Sequence, residues 1–404
     1  MRSCAAERVL LLAVVVVAGQ AAAAPAEGAT LRERLDRALT ARGVARSATG
    51  ALAVNLRTGR TVYALHGSRS LEPASNQKLA VALAVLDRLG TDYRISTEVL
   101  GVGGRSGSEW RGRLVLKGFG DPSLARVDLR RLARRIHGLG IRKVTGRVVG
   151  DESYYDVRRT CPGWKPAWYK VESPPLSALV VARAKVGRRT VDDPARAAAA
   201  AFRSALEAAG VDVVGGSRVA AAPPDAVPLA SVRSAPTALL VRRMNKTSDN
   251  FYAEMLVKHL GARFRGAGTT YRGSRVVRRV LGARGVPLEG VRIVDGSGLS
   301  VHDRLTTRAI GRMLTAAWRD PTLRAVWLDS LPLAGVDGTL EDRMLREPAY
   351  RTVRAKTGTT ATASSLSGYA GSRYLFSILQ NGRPIPWWYA RRAQDRFAQI
   401  LAGA

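Results

Sequence analysis

From Ala51 to Leu65 the sequence ALAVNLRTGRTVYAL alternates apolar and polar positions around Arg57-Thr58-Gly59, which predicts two strands joined as a β-hairpin. The pattern then changes. A helix is expected from just after Pro73 to about Gly90, and in it Leu79, Leu83 and Leu86, with Val81 and Val85 between them, leave almost no polar face. A helix apolar all round belongs in the middle of a domain. Yet this one opens with Lys78, three residues after Ser75. A cation entering a core is costly unless it finds partners or gives up its proton.

A different texture begins near Tyr93. YRISTEVLG and GRLVLKG read as strands, and IRKVTGRVVG as another. VDLRRLARRIHGLG reads as an amphipathic helix with Leu129, Leu132, Ala133 and Ile136 on one face. A further helix is expected in DDPARAAAAAFRSALEAAG, with Asp193 as its N-cap, Pro194 at its first position and Gly210 after it. This strand–helix–strand alternation, roughly Ile95 to Ser234, predicts an α/β unit of its own. The Pro- and Ala-rich stretch ending at Pro236 reads as a linker. Helices are expected again in SDNFYAEMLVKHLG, from Gly273 to Leu281 and from Thr306 to Trp318. Two or three strands and the helix PWWYARRAQDRFAQILAG then close the chain. The expected architecture is a mixed α+β, multidomain chain. An antiparallel sheet flanked by helices is built from both ends (residues 25–94 and 235–404), and an α/β domain (95–234) is inserted between them.

The N-terminus is set apart from this fold. Arg2 and Arg8 precede the apolar run Val9–Ala18, and the small residues Ala21 to Ala24 follow, the layout of a cleaved secretory leader over residues 1–24. Pro25 disfavours a cut just before it, so cleavage after Ala22 or Ala23 is expected. The run is short for a membrane span. The expectation is an exported protein, soluble outside the cytoplasm. With Cys4 in the leader, Cys161 has no cysteine partner, and no internal disulfide is expected.

Of the 404 residues, 46% are hydrophobic and 24% charged, the balance of a globular chain and not of a disordered one. The formal net charge of +32 has two readings. One is attraction to a polyanion, for which an anionic cell wall or membrane surface suits an exported protein and nucleic acid does not. The other is compositional, with arginines spread over solvated helix faces. Arg130-Arg131, Arg134-Arg135 and Arg278-Arg279 lie opposite apolar positions, as that second reading expects.

Three short motifs follow in order: Ser75-Asn76-Gln77-Lys78, Ser248-Asp249-Asn250 and Lys356-Thr357-Gly358-Thr359. Each has an ordinary structural reading by itself: polar residues flanking a core helix, a helix N-cap, and a strand end entering a turn. Their conjunction has a chemical one. Residues i and i+3 share a helix face, so Lys78 reaches the Ser75 hydroxyl. Backbone N–H groups at the helix start favour a developing oxyanion, and a desolvated lysine has the lowered pKa of a base. Ser248 is placed to relay a proton to a leaving group and Asn250 to bond both Lys78 and a substrate amide. Lys356, Thr357 and Thr359 are placed to hold a substrate carboxylate, and Gly358 leaves room for a peptide backbone.

Together these motifs resemble those of penicillin-binding proteins and serine β-lactamases. The wide separation of Ser75 from Ser248, with an α/β insert between, resembles the class C low-molecular-mass penicillin-binding proteins, the DacB-type D-alanyl-D-alanine carboxypeptidase/endopeptidases. The longer phrases GFGDPSL, GRVVGDESYYD, PGWKPAW, DGSGLS, GVDGTL and LSGYAG carry the same resemblance. It implies a serine β-lactamase/DD-peptidase-like domain and cleavage of terminal D-Ala–D-Ala bonds in peptidoglycan stem peptides. It also implies action, in many members, on D-Ala–diaminopimelate cross-links, and acylation of Ser75 by β-lactams. The oxyanion donors would be the N–H groups of Ser75 and Thr359, and no cofactor or metal is expected. The chain departs from the resemblance in a shorter insert and in Val301-His302, where many relatives carry an arginine. It also lacks an asparagine near the end of PPLSALVVARAK. Ser297 in DGSGLS lacks the glycine two residues earlier that a nucleophile elbow needs, and a tight turn is expected there. Two other functions fit the scaffold. A β-lactamase-like hydrolase would turn penicillin over rapidly, and a non-catalytic wall-binding protein would be indifferent to loss of Ser75.

Overall fold

The computed structural model describes residues 29–404, so the leader expected at residues 1–24 lies outside the described residues. Five strands form one antiparallel sheet: β1 (Thr49–Asn55), β2 (Thr61–Leu65) and, from the far end of the chain, β12 (Val353–Thr359), β13 (Ala363–Ala370) and β14 (Tyr374–Asn381). Their order is β12-β13-β14-β1-β2, so the N-terminal hairpin joins the C-terminal strands through β1 and β14. Every residue of β14 but the last is buried, because the sheet is covered on both faces. Leu375 and Leu379 point into the larger helical core, and Phe376 and Ile378 point the other way, onto Phe397 and Leu401 of the C-terminal helix. That is the two-residue period of a strand, used twice.

The second sheet has seven strands. β3 (Ser96–Ser106), β4 (Glu109–Gly118), β6 (Val148–Asp151), β10 (Ser217–Val219) and β11 (Val227–Arg233) run in the order β10-β6-β4-β3-β11. β5 (Lys143–Val144) pairs with β4, and β9 (Asp212–Val213) pairs with β5, both in parallel. A separate two-stranded ribbon joins β7 (Lys185–Val186) to β8 (Arg189–Thr190). Helices α3 (Arg126–Gly138) and α4 (Pro194–Ala208) pack on one face of this sheet through Leu129, Leu132, Ile136, Phe202 and Leu206. Asp193 caps α4 by accepting from the Arg196 N–H, with Pro194 inside the first turn. The arginine pairs 130–131, 134–135 and 278–279 are exposed, as the solvated-face reading expects.

The remaining helices are α1 (Leu31–Ala38), α2 (Gln77–Leu89), α5 (Thr237–Lys246), α6 (Asn250–Arg265), α7 (Thr270–Ala283), α8 (Thr307–Arg319), α9 (Arg324–Ser330) and α10 (Trp387–Ala402). α2 is buried from Gln77 through Leu86 and lies among α5, α6, α7 and α8. No described helix is long and apolar enough to cross a membrane.

Three expectations need correction. The stretch read as a linker before Pro236 contains β11, which pairs antiparallel with β3. Its Pro228 sits at a register irregularity on an edge strand, where a missing N–H is tolerated, and so the strand was hidden behind its prolines. Ser248-Asp249-Asn250, whose Asp249 caps α6, does not follow a linker directly but forms the turn between α5 and α6, because TALLVRRMNK, for which no helix was expected, forms one of its own. Finally, the turn carrying Ser75 is a 3-10 turn, Ala74–Asn76, and the α-helix proper starts at Gln77.

Candidate active site

Ser75, Lys78, Ser248, Asn250, Lys356 and the strand end Thr357-Gly358-Thr359 come from three elements far apart in sequence. Lys78 lies on the first turn of α2, Ser248 and Asn250 at the α5–α6 turn, and Lys356 to Thr359 at the end of β12. The structure brings them together around one cleft of about 260 Å³, which Ser75, Ser248, Asn250 and Thr357 to Thr359 all line. Two non-glycine residues there hold left-handed backbone, Ala74 just before Ser75 (φ 46°) and Ser248 itself (φ 56°). Such strain persists only where surrounding contacts over-determine it.

Those contacts are specific. The Asn76 side chain donates to the Lys356 carbonyl at 3.0 Å, and Ser365 Oγ donates to the Pro73 carbonyl at 2.8 Å, tying the Ser75 turn to the sheet. Gly358 stands so close that a β-carbon there would lie 2.9 Å from the Ser75 backbone nitrogen. Asp249 caps α6 by accepting from the Tyr252 N–H, and it also pairs with Arg183 at 2.7 Å.

Lys78 is fully buried. Its Nζ donates to Ser75 Oγ, Asn250 Oδ1 and the Ser297 carbonyl, each at 2.8 Å. All three acceptors are neutral, and burial pulls the ammonium pKa down to about 8, against the pull of Asp295 and Glu254 nearby. Lys356 is also fully buried. Burial, followed by the charge of Lys78, holds its pKa well below the ordinary lysine range. Its Nζ donates to Ser248 Oγ at 3.0 Å and to the Thr357 carbonyl at 2.8 Å, while Thr357 Oγ1 donates to Thr339 Oγ1 at 2.7 Å.

Sequence reasoning missed the loop that completes the Lys78 shell. The turn expected at Asp295–Ser300 is held from below by buried carboxylates. Glu254 accepts from the N–H groups of Gly296 and Ser297, with its shortest bond 2.8 Å, and so aims the Ser297 carbonyl at Lys78. Asp295 accepts from the N–H groups of Gly298 and Ser300 and from the Trp164 indole. Asp303 accepts from the N–H of Val294 at 2.7 Å. Burial and the neighbouring Asp295 raise the Glu254 carboxyl to about 7. The Cys161 thiol donates to Glu254 at 3.1 Å, and burial pushes that thiol well above its usual pKa. From the same segment Glu172 reaches the cleft, where its carbonyl accepts from Asn250 Nδ2 at 3.0 Å. Thr339, Arg343 and Arg391 also line the cleft without having been singled out. The phrases PGWKPAW, DGSGLS and GVDGTL were the available signal for Trp164, Ser297 and Thr339; nothing local marked Glu172 or Arg391.

No group of three or more histidine, cysteine or acidic side chains among the described residues has a metal-binding arrangement. What the cleft offers is a hydroxyl bonded to a desolvated amine, a second hydroxyl–lysine pair, and a glycine-flanked strand end. That arrangement suits acyl transfer through serine.

Known proteins point the same way. The chain is 31% identical to the D-alanyl-D-alanine carboxypeptidase of Actinomadura sp. (strain R39), over 99% of this chain and 90% of that protein. The crystal structure of penicillin binding protein 4 (dacB) from Haemophilus influenzae shares the fold, with a TM-score of 0.78 at 22% identity, covering 91% of this chain and 97% of that one. A second structure of that protein, complexed with a β-lactam, aligns over the same shares with a TM-score of 0.73, also at 22% identity. The expected fold, a DD-peptidase-like antiparallel sheet flanked by helices together with an α/β unit, is therefore the observed one. The sequence pattern of the D-Ala-D-Ala carboxypeptidase 3 (S13) family matches residues 31–190 and 184–403, and the chain belongs to that family of serine peptidases.

Proposed function

We propose that the chain is an exported serine DD-peptidase acting on peptidoglycan stem peptides, with Ser75 as nucleophile. The observation that carries this is the fully buried Lys78 amine, 2.8 Å from Ser75 Oγ and with its pKa lowered to about 8. Neutral Lys78 takes the Ser75 proton as Oγ attacks the carbonyl carbon of the penultimate D-Ala. The N–H groups of Ser75 and Thr359 hold the oxyanion. As the tetrahedral intermediate collapses, the C–N bond breaks and Ser248, backed by Lys356, delivers a proton to the departing amine. Asn250 orients Lys78 and the substrate amide, and Thr357 and Thr359 take the terminal carboxylate beside Gly358. Water then hydrolyses the ester and regenerates Ser75.

D-Ala–diaminopimelate cross-links present the same kind of bond and belong to the same proposal. A β-lactam, whose strained amide mimics that bond, acylates Ser75; the complex of the Haemophilus protein with a β-lactam supports this. Action on the cell wall places the protein outside the cytoplasm, in keeping with the leader read at residues 1–24. Residues 25–94 and 235–404 form the catalytic domain in this proposal, and residues 95–234 the inserted one. The cores beneath the two sheets support that division, while Tyr155, Cys161 and Leu176 of the insert share a further core with Phe251 and Met255 of α6. The net charge of +32 favours an anionic wall or membrane surface as its working environment.

The test is intact-protein mass spectrometry after incubation with benzylpenicillin, followed by peptide mapping. A lasting adduct on Ser75, absent from Ser75→Ala, is the expected result. Rapid penicillin turnover without an adduct replaces the proposal with a β-lactamase-like hydrolase. A folded protein that neither forms an adduct nor turns penicillin over overturns the catalytic reading.

A further inference from the structure

The mechanism above leaves two cations in the cleft unused, Arg343 and Arg391, and only the first is paired with a carboxylate. Arg391, in the first turns of α10, lines the cleft beside Thr357, Gly358 and Thr359. Its Nη2 lies 3.2 Å from Thr359 Oγ1, and its guanidinium carbon sits 4.6 Å above the Trp387 ring. Among the described residues no carboxylate reaches it within ion-pair distance. Arg343, which also lines the cleft, differs: its Nη2 is 2.7 Å from Asp395. Glu172 is the one carboxylate among the lining residues, and it stands beside Asn250. Arg391 is thus a half-buried guanidinium with no carboxylate in contact, next to the threonine assigned to the substrate's terminal carboxylate.

We propose that Arg391, together with Thr357 and Thr359, binds the free carboxylate on the carbon that bears the scissile nitrogen, and so makes that carboxylate a requirement for efficient cleavage. The inference rests on the DD-peptidase reading and deepens it. A guanidinium offers parallel N–H donors that match a carboxylate, and only one of them is engaged, on Thr359. Stacking on Trp387 fixes the plane of the fork without consuming a donor. Burial, and then the charge of Arg343, depress the pKa of Arg391 against the pull of Asp395, and a bound anion would add to that pull. Terminal D-Ala–D-Ala carries such a carboxylate on the departing residue, and so does a cross-link whose departing D-centre is left unamidated. Arg391 therefore sorts substrates by amidation and not by whether the product is a free amino acid.

The experiment compares kcat and KM for an N-acylated peptide ending in D-Ala–D-Ala with those for its C-terminal amide, in wild type, Arg391→Met and Arg391→Lys, with melting temperatures alongside. Wild type is expected to prefer the acid. Arg391→Met is expected to raise KM for the acid by about tenfold to a hundredfold, the usual weight of a hydrogen bond to a charged group, and to collapse the acid-to-amide preference. Arg391→Lys, which keeps the charge but loses the fork, should fall between the two and covers the case in which the Met variant does not fold. Equal losses on acid and amide would mean that Arg391 only braces α10 against β12, and they overturn the inference alone. So does an unchanged preference. A wild-type protein that cleaves neither peptide overturns the DD-peptidase reading, and this inference with it.

Discussion

The Lys78 ammonium donates to the Ser297 carbonyl at 2.8 Å, which joins the helix carrying the candidate base to a loop 219 residues further along the chain. This contact changes how the buried lysine is understood. Among the described residues Lys78 has no carboxylate at ion-pair distance; its acceptors are a hydroxyl, an amide and a peptide carbonyl. The charges that stabilise its protonated form, on Asp295 and Glu254, act from one layer further out. A directly paired lysine would keep its proton across the working pH range, and an unsupported one could not remain in a core. The loop carbonyl is the compromise between them.

The first prediction follows from the Lys78 pKa of about 8. In the proposed mechanism neutral Lys78 is the acting form, so acylation should rise with pH while the ammonium titrates and level off above that value. Well below it, the neutral fraction changes about tenfold per pH unit. The second-order rate of benzylpenicillin acylation, measured from about pH 6 to pH 10, checks this. A rate independent of pH over that range would remove Lys78 from the role of base.

Glu254 offers a way to move that profile. Its negative charge, present above about pH 7, raises the Lys78 pKa, and its oxygens hold the Gly296 and Ser297 N–H groups. Glu254→Gln keeps the shape, removes the charge and leaves one acceptor oxygen. The acid limb should therefore shift to lower pH; the remaining oxygen can still accept from both N–H groups, but stability falls by about 1–3 kcal/mol because the new amide NH2 faces the buried Cys161 thiol and the thiol loses its acceptor. A lower plateau with an unmoved limb would mean that Glu254 only positions the loop.

How much of this was legible in the sequence depends on what kind of contact each residue makes. Ser75 and Lys78 could be paired from spacing alone, because three residues of helical backbone put both on one side and the bond is local. The convergence of Lys356 with Ser248 was inferred from the conjunction of motifs, and the structure places them 3.0 Å apart. The phrase DGSGLS marked the turn of Ser297 but not its contact with Lys78, which is made by a backbone carbonyl that no side-chain pattern marks. Nothing in SDNFYAEMLVKHLG singled out Glu254; its burial is visible only once the loop closes over it. In the fold, alternation pointed to β1 and β2, but β11 was missed because Pro and Ala break the periodicity of an edge strand.

Ser248 should matter most where a proton must reach a departing amine. Its hydroxyl is 3.0 Å from Lys356 Nζ, and Ser248→Ala removes the relay while leaving the Ser75–Lys78 bond intact. Peptide hydrolysis should fall by about 10²-fold or more, within the usual range for loss of a general acid. Acylation by benzylpenicillin should fall less, because its departing nitrogen stays tethered to the acyl group. Equal losses on both substrates would argue that Ser248 acts by positioning Lys356.

Gly358 tests whether the strand end must approach the nucleophile closely. A β-carbon at this position would lie 2.2 Å from Ser365 Oγ, 2.9 Å from the Ser75 nitrogen and 3.1 Å from the Ala74 β-carbon. Its backbone is not left-handed, so the cost of Gly358→Ala is steric and not conformational. Ser365 cannot turn away without giving up its 2.8 Å bond to the Pro73 carbonyl, and so β12 and the Ser75 turn must separate. Overpacking of this kind costs about 1–3 kcal/mol. Separation also moves the Ser75 N–H away from the strand-end N–H with which it shares the oxyanion in the proposed mechanism. A lowered melting temperature together with an acylation rate reduced by about 10²-fold is the expected outcome, comparable to loss of one oxyanion donor. Gly104→Ala is the control, because a β-carbon there meets nothing within 4 Å, and both quantities should stay at wild-type values. If Gly358→Ala lost stability yet acylated at the wild-type rate, the close approach would serve packing alone, and the Thr359 N–H would lose its place in the mechanism.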